Sequence, residues 1–473
     1  MKEAEEFHKE SLKVDPLYDR QPEKINHNTL LELVIDLYEA GDYAQGITLA
    51  EKWVKQQNVS RQEDIYPLVY YYIAYGYQNL HRKENTEQAN CYMTMYVTLG
   101  ENAAADGCFP HRTEDYIVLK SLAEEYHLAM AYYYLGCLLY DRRVYDESIE
   151  DYEESILRSP DFPTVHRNLA LAYYNVKKLP QRAYEEMEKA FALDETDARV
   201  YLELDQLKKR LNVAVKERWS DMEKHFDLVE SRDDLYLEYV TLLNTLGEPE
   251  KALGLIKARK FHQWEGGEGK VAAQYLTALY QLAKAAVEKE DYAEAKELLL
   301  RAVGEYPHNL GEGKLESGQE NNLYYLLGLV QEKLGEAKDA FESLTRACCG
   351  ESEPVGMMYY NDQPPEMIYY QGLAKEKLGL PVEAKSRYYR LLDYGERHLY
   401  DKMRVEYFAV SLPDFMIFDD DLDKRNKTHC YYLMGLGYLG LGDKEKAAEA
   451  FRNAMQLDPT HLNAGRYLKM VEE

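Results

Sequence analysis

The sequence has few cysteines, and their placement carries no metal or redox signature. Six occur in 473 residues, and no two have CxxC spacing. A zinc site of that type and a disulfide framework are therefore excluded. The adjacent pair Cys348 and Cys349 invites a redox role, but we expect two small buried residues at a helix end. The six are Cys91, Cys108, Cys137, Cys348, Cys349 and Cys430.

Basic residues are also in deficit, with 57 Lys and Arg against 84 Asp and Glu and a formal net charge of -27. Such a chain repels a phosphate backbone and an anionic membrane, so we expect neither as a partner. No stretch approaches 18 consecutive apolar residues, the least that predicts a membrane-spanning helix. The first nine residues are charged and lack the apolar centre of a signal peptide, so we expect a cytoplasmic protein.

Glycine and proline, at 27 and 15 copies, are too few for a low-complexity chain. Tyrosine, in contrast, occurs 44 times against 11 phenylalanines and 3 tryptophans. A tyrosine ring with its polar tip suits half-buried positions between thin helical layers. We expect most of these rings to pack, and the alternative is that some line a groove for a ligand.

An internal repeat is clearest between residues 428 and 463. If Thr428 is position 1, large and small residues alternate at positions 4, 7, 8, 11, 20, 24, 27 and 32. They are Tyr431, Met434, Gly435, Tyr438, Ala447, Phe451, Ala454 and Pro459. This pattern resembles the tetratricopeptide repeat (TPR), a pair of antiparallel helices of 34 residues.

The same spacing recurs along the chain. It predicts an all-α TPR α-solenoid, a right-handed superhelix of antiparallel helix pairs that forms a single domain over 1–473. A bundle of unrelated amphipathic helices would not repeat Gly or Ala at fixed offsets. The clearest units are 129–162, 163–197, 233–258, 276–307, 321–349, 365–394 and 428–461.

Steric contact explains the pattern. We expect position 8 of the first helix to face position 20 of the second, because helix axes approach to about 8–10 Å only over small side chains. Large residues at the other positions fill the space beside that contact. Proline at position 32 ends the second helix, because it cannot donate the backbone hydrogen bond.

Five insertions interrupt the repeat, and each follows a second helix and precedes the next first helix. We therefore predict that they lie along one edge and form a composite binding surface. They span 99–112, 259–270, 308–320, 350–365 and 394–427.

The second insertion contains the most unusual segment, FHQWEGGEGK. Its glycines allow tight turns, and carboxylates beside the flat face of Trp264 suit a sugar or a cationic side chain. The alternative is that the loop folds back and Trp264 only packs. A phosphate cradle is not expected, because GxxxxGK[ST] spacing is absent. The candidate binding residues here are Phe261, His262, Trp264, Glu265, Glu268 and Lys270.

Two other insertions hold candidate residues. Asp419, Asp420 and Asp421 precede Arg425, without the spacing of a calcium loop, so we expect helix capping and pairing with bases. His111 and Arg112 enter a helix near two acids, and Arg112 could bind a carboxylate of the scaffold or of a ligand. The sequence contains no supported catalytic arrangement, and we predict no metal, no cofactor and no enzyme activity of its own.

Several segments point to a narrower family. CFPHRTEDYIVL, RNLALAYYNV, KFHQWEGGEGK and SLPDFMIFDDDLDKRNKTHC resemble the carboxy-terminal TPR region of a family of large bacterial proteins. In that family an amino-terminal β-rich, mutarotase-like domain of unknown function precedes the repeats. The family usually has Pro where this chain has Gln263, and commonly Asn where it has His111.

The resemblance implies that the loops around Trp264, Arg112 and Asp420 contact such a β-rich domain or its substrate. The present chain would then be a fragment or a stand-alone relative. Two functions follow. One is a scaffold that binds a protein or peptide in its concave groove and on its loop edge. The other is the helical accessory part of a carbohydrate-active enzyme.

Overall fold

The computed structural model describes residues 26–57, 65–84, 87–264, 266–314, 318–356, 362–404 and 417–472. Within those ranges the regular secondary structure is helical and no strand occurs, which confirms the all-α prediction. The chain forms two compact units, Met1–Asp194 and Glu195–Glu473, called unit 1 and unit 2 below.

Unit 1 consists of helical hairpins. α1 pairs with α2, α3 with α4, α6 with α7 and α8 with α9, while α5 packs between the second and third pairs. The helices are α1 His27–Glu39, α2 Tyr43–Gln56, α3 Pro67–Glu84, α4 Glu87–Asn102, α5 Thr113–Tyr126, α6 Ala129–Asp141, α7 Tyr145–Arg158, α8 Pro163–Asn175 and α9 Pro180–Leu193.

Unit 2 continues with further hairpins. From α13 onward each first helix pairs with the helix that follows it, and α23 packs on α22. The helices are α10 Ala198–Arg210, α11 Val215–Lys224, α12 Phe226–Ser231, α13 Asp233–Leu246, α14 Pro249–Ala258, α15 Lys270–Glu288, α16 Tyr292–Val303, α17 Asn321–Lys333, α18 Ala337–Ala347, α19 Pro365–Lys377, α20 Pro381–His398, α21 Leu422–Gly440, α22 Lys444–Leu457 and α23 Leu462–Glu472.

Local residues set where these helices begin. The side chains of Asp291, Asp421 and Asp443 each accept a hydrogen bond from the backbone N–H three residues later. An aspartate there satisfies a free N–H and favours the positive end of the helix dipole. Proline occupies the first residue of α8, α9, α14, α19 and α20, where its missing N–H costs nothing.

The predicted close contact between positions 8 and 20 of a hairpin is confirmed. The space that the small residue at position 8 leaves free, however, is filled by a different residue from the predicted one. Ser148 at position 20 donates a hydrogen bond of 2.7 Å to the Gly136 carbonyl at position 8. A Cβ on Gly136, however, would lie 2.5 Å from the ring of Tyr152 at position 24. Gly435 and Phe451 repeat this arrangement. The small residue at position 8 therefore makes room chiefly for the large one at position 24.

Many tyrosines are buried, as the composition led us to expect. Tyr71 and Tyr72 are both fully buried on α3. Their hydroxyls donate to carboxylates of Glu101 at 2.6 Å and Asp115 at 2.8 Å. Burial is the main reason that the pKa values of both tyrosines lie above the ordinary range. The rings fill space between helices while their hydroxyls keep hydrogen-bond partners.

Helices reach further into the predicted insertions than the repeat spacing indicated. α4 continues to Asn102, α20 continues to His398, and α21 already begins at Leu422. The reason is local: no proline interrupts these stretches, and Asp421 caps the start of α21. A short 3-10 turn, His308–Leu310, lies inside the third insertion.

Candidate binding surface

In unit 2, the connections α14–α15 and α16–α17 are joined by backbone and side-chain hydrogen bonds. The Phe261 N–H donates to the Asn309 carbonyl at 2.9 Å. The Asn309 amide in turn donates to the carbonyls of Ile256 at 2.8 Å and Arg259 at 2.9 Å. The end of α14 and the start of the second insertion are thus held by the third insertion.

The same third insertion caps the next helix. The Glu312 carboxylate accepts hydrogen bonds from the N–H groups of Gly269 at 2.7 Å and Ala272 at 2.8 Å. These are free donors of the first turn of α15, and a carboxylate there also favours the helix dipole. The glycine-rich turn therefore meets a carboxylate of the protein itself, which agrees with the absence of a phosphate-binding pattern.

Phe261 does not belong to an accessible surface. It is 2% exposed, and its ring packs edge-on against Tyr236 with 6.0 Å between centroids. The Arg259 guanidinium lies 4.4 Å from the Tyr236 ring centre. The prediction that Phe261 contacts a partner is not met in this structure, because the aromatic side chain gains more by filling the gap beside α13.

Trp264 packs on the backbone of its own loop. A Cβ on Gly267 would lie 2.5 Å from Trp264 Cδ2 and 2.7 Å from Nε1, so only glycine accommodates the ring. Trp264 is half-buried, whereas Glu268 and Lys270 are exposed. Glu265 lies outside the described residues. The loop folds back, which corresponds to the packing alternative, and Trp264 as a whole residue is half-buried.

His262 stands at the exposed end of this loop. Its N–H and its ring Nδ1 both contact Asp233 Oδ2, at 2.9 Å and 3.0 Å. Arg259 Nε donates to the other oxygen of the same carboxylate at 2.6 Å. Burial alone would raise the pKa of Asp233, but these hydrogen bonds hold it below its ordinary value. The cluster anchors the loop to the start of α13.

The connection α18–α19 continues the same series of contacts. Asn321, the first residue of α17 and directly after the third insertion, donates to the carbonyls of Ala347 at 2.9 Å and Cys349 at 2.7 Å. Further along, His429 Nε2 donates to the Val355 carbonyl at 2.8 Å. Burial lowers the pKa of His429 to about 4, so the ring is neutral at pH 7. Gln371 also binds this connection, through the Glu351 carbonyl at 2.7 Å.

The acidic residues of the fifth insertion cap a helix and pair with basic side chains, as the sequence predicted. Asp421 caps α21, and Asp420 lies 3.8 Å from Arg425. Asp423 pairs with Lys402 at 2.5 Å. Asp419 is exposed. No group of three or more metal-binding side chains occurs in the described part of the chain.

Residues before this run are held by a distant helix of unit 2. Phe418 is fully buried, and its carbonyl accepts a hydrogen bond of 3.2 Å from Arg210 at the end of α10. We call the described residues of the four connections α14–α15, α16–α17, α18–α19 and α20–α21 the loop edge of unit 2. The first two are joined by hydrogen bonds, and the second and third meet where the Gln319 side chain lies close to Gly350. The third accepts a hydrogen bond from His429 of α21, and the fourth donates one to Asp423 of α21.

Unit 1 uses His111 and Arg112 within its own scaffold. The backbone N–H groups of both residues donate to Asp115 Oδ2, at 2.9 Å and 3.0 Å. The Arg112 guanidinium bonds to Glu32 on α1 at 2.5 Å, and its side chain is almost fully buried. The His111 carbonyl accepts from Arg142. This arrangement matches the scaffold alternative for Arg112, in which a salt bridge joins α5 to α1.

The sequence reasoning did not select two exposed aromatic residues. Phe109, in the first insertion, is 75% exposed, and Tyr400, on the loop edge, is 77% exposed. Exposed aromatic rings are common anchors at protein interfaces. Phe109 stands just before a proline, and an aromatic residue beside a turn-forming residue in an insertion was the available signal.

Family models described as tetratricopeptide repeat match residues 133–198, 280–354 and 429–461. Tetratricopeptide repeats are therefore present in the chain, and the predicted all-α TPR fold is confirmed. These repeats support a role as a protein-interaction scaffold. No helix in the described residues is both long and apolar enough to cross a membrane.

Solved structures of TPR proteins resemble the chain at low identity. Yeast Tom70 is 10% identical, with 99% of this chain and 90% of that chain covered and a TM-score of 0.32. YrrB, described as a TPR protein with an unusual peptide-binding site, is 22% identical, with coverages of 52% and 97% and a TM-score of 0.20. A TPR protein from Parabacteroides merdae is 14% identical, with coverages of 64% and 98% and a TM-score of 0.24. At these scores no ligand or partner transfers to this chain.

Proposed function

We propose that this chain is a TPR scaffold that binds protein or peptide partners through the groove lined by its first helices and through the loop edge of unit 2. The observation that supports the proposal is that successive connections of unit 2 are held together: Phe261 bonds to Asn309, and Asn321, at the start of α17, bonds to Cys349 in the connection that follows α18. Long connections held against one another make a preorganised surface, and preorganisation lowers the entropic cost of binding.

Exposed side chains on this edge are of the kinds that partners use. Tyr400 is a large exposed ring, and Lys427 Nζ lies 5.9 Å from its centre. His262 and Glu268 add polar groups at the other end of the edge. An aromatic anchor with a polar rim is the usual composition of a binding site on a protein surface.

Site-specific photocrosslinking tests the proposal. A photoreactive phenylalanine analogue is placed at Tyr400, and at Phe341 on α18 as a matched control that is 63% exposed but lies on a helix. We expect crosslinks to a defined partner from Tyr400 and few from Phe341, and we expect the purified partner to reproduce them. Equal crosslinking from both positions would contradict a specific role for the loop edge.

Trp264→Ala provides a second measurement. Loss of partner recovery by Trp264→Ala supports protein binding, provided that Trp264 fluorescence in the wild-type protein does not respond to a broad sugar panel. A saturable fluorescence response to one sugar would instead support the carbohydrate-active alternative. Equal partner recovery by wild type and variant would remove Trp264 from the proposed surface.

A further inference from the structure

His166, in unit 1, is a buried histidine that joins three successive elements. It lies in the first turn of α8 and is 3% exposed. Its Nδ1 lies 2.6 Å from the Glu186 carboxylate of α9, and its Nε2 lies 2.8 Å from the Pro160 carbonyl in the α7–α8 connection. The ring therefore ties the connection before α8 to the helix after it.

Both partners of the His166 ring are acceptors, and this determines its protonation state. A neutral imidazole has one N–H donor and one lone pair, whereas an imidazolium has two donors. A carboxylate and a backbone carbonyl can only accept, so both contacts are hydrogen bonds only when the ring is charged. In a neutral ring, one contact would place a lone pair against an oxygen at 2.6 or 2.8 Å, which is repulsive.

The charges of α9 agree with a protonated ring. Burial opposes the charge, but the bonds to Glu186 and Pro160 hold the pKa of His166 above its ordinary value of 6.5. Lys189 also opposes the charge, but it pairs at 2.8 Å with the other oxygen of Glu186. Burial would raise the pKa of Glu186, but its bonds to His166 and Lys189 hold it below its ordinary value. A carboxylate therefore faces the ring.

The charges on the other side of α8 are engaged elsewhere or face solvent. α7 and α9 both pack on α8. At the end of α7, Arg158 pairs with Glu154 of its own helix. In the connection, Asp161 is exposed. The protonation of His166 is therefore governed mainly by Glu186 and Lys189 of α9.

Loss of the ring proton breaks one particular contact. A hydrogen bond to a carboxylate is about twice as strong as one between neutral groups. The neutral ring therefore keeps its remaining proton on Nδ1, toward Glu186, and its Nε2 presents a lone pair to the Pro160 carbonyl. The same connection carries Phe162, whose ring packs edge-on against Tyr133 of α6 with 4.9 Å between centroids. Displacement of the Pro160 carbonyl thus loosens the connection and its packing on α6.

We propose that His166 is a pH-sensitive latch between two successive hairpins of unit 1, α6–α7 and α8–α9. The charged ring fastens the α7–α8 connection to α9, and the neutral ring releases the connection while it stays bonded to Glu186. The contribution of the latch to stability is complete below pH 6.5 and is lost as pH rises through the higher pKa of the folded ring. The two hairpins are therefore coupled more tightly at acid pH than at alkaline pH.

NMR of the full chain with 15N-labelled histidine tests the charge and the tautomer. The ring 15N shifts report the protonation of each nitrogen, and the His166 signals are those that disappear in His166→Gln. We expect His166 to be an imidazolium at pH 6, to titrate above pH 6.5 and to become the Nδ1–H tautomer. Titration at or below pH 6.5, or a neutral form with its proton on Nε2, would overturn the proposal.

Amide hydrogen exchange, corrected for the intrinsic effect of pH, measures the release of the connection. The Ser159 N–H donates to the Ser155 carbonyl at 2.9 Å, and we expect its protection to fall roughly two- to tenfold as the ring loses its proton, the effect of one hydrogen bond. Glu186→Gln keeps an acceptor but removes its charge, so the titration and the loss of protection should both move to lower pH. Glu188→Gln is the matched control, because Glu188 is exposed on the same helix and bonds to Tyr184. It should behave as wild type.

Protection of Ser159 that stays constant while the ring titrates would overturn the latch, even if the ring is charged at pH 6. Equal shifts in Glu186→Gln and Glu188→Gln would also overturn it, because they would indicate the net charge of α9 and not one bond. Circular dichroism verifies that each variant folds, and the wild-type measurements decide the outcome if one does not. The latch lies in unit 1, so its failure would leave the proposed role of the loop edge of unit 2 standing.

Discussion

Replacing Gly435 by alanine tests the packing on which the whole repeat depends. A Cβ at this position would lie 2.5 Å from Phe451 Cδ1 and 2.8 Å from Cζ. Phe451 cannot move away easily, because it is fully buried and stacks on Tyr467 with 5.8 Å between centroids. Gly254, in the middle of α14, is the matched control, since a Cβ there would meet nothing within 4 Å.

Two effects of opposite sign determine the outcome. Alanine stabilises a helix interior by about 0.5–1 kcal/mol relative to glycine, and both substitutions gain this amount. Overpacking in a close-packed core costs about 1–3 kcal/mol, and only Gly435→Ala incurs it. We therefore expect Gly254→Ala to raise the free energy of unfolding slightly and Gly435→Ala to lie about 1–3 kcal/mol below it.

Urea denaturation followed by circular dichroism measures this difference. Both residues belong to unit 2, so the same unfolding transition reports both variants. The comparison between variants cancels the helix-propensity gain, which leaves the packing cost alone. If Gly435→Ala proved as stable as Gly254→Ala, the conclusion that position 8 is small to accommodate the ring at position 24 would be wrong.

Three further predictions concern single side chains. Burial raises the pKa of Asp151 to about 6, so the free energy of unfolding falls as pH rises from 4 to 6 and the carboxyl ionises. Asp151→Asn should be more stable than wild type at pH 7 by about 1–3 kcal/mol in urea denaturation. At pH 4 the variant should be no more stable than wild type. The pKa of His429 is lowered to about 4, so the unfolded chain binds its proton more tightly and stability is lost as pH falls from 6.5 to 4. His429→Gln keeps a donor for the Val355 carbonyl and should reduce that loss by about 3 kcal/mol, whereas an unchanged pH profile would place the effect elsewhere. Gly267→Ala should displace the Trp264 ring and shift its fluorescence to longer wavelength. A Trp264→Phe protein gives the signal of the other two tryptophans, which is subtracted. An unshifted Trp264 spectrum would contradict the packing described for the loop.

Much of the fold could be predicted because its signals are local. The small residue at Gly435, the large one at Phe451 and the cap at Asp421 act over one or two helical turns. The spacing of residues along one hairpin is therefore enough to predict the small residue, the large residue and the cap. The extra helix α5 has no partner in the 34-residue spacing, and for that reason the repeat did not indicate it.

The candidate surface was predicted less completely, because binding residues depend on which loops meet. Phe261 and Trp264 stood out in the sequence as aromatic residues in a glycine-rich segment. Only the position of Asn309 shows that the loop turns inward at Phe261. Arg112 likewise has the chemistry of a ligand contact, but Glu32, 80 residues away, is its partner.

The sequence by itself therefore determined helical hairpins, their caps and the insertions between them, because each depends on residues close together in the chain. Only the tertiary structure decided that insertions hold one another and that Arg210 bonds to the Phe418 carbonyl. Several hairpins separate those two residues, and small rotations at each hairpin contact add up to set the distance between them. No local pattern records that sum.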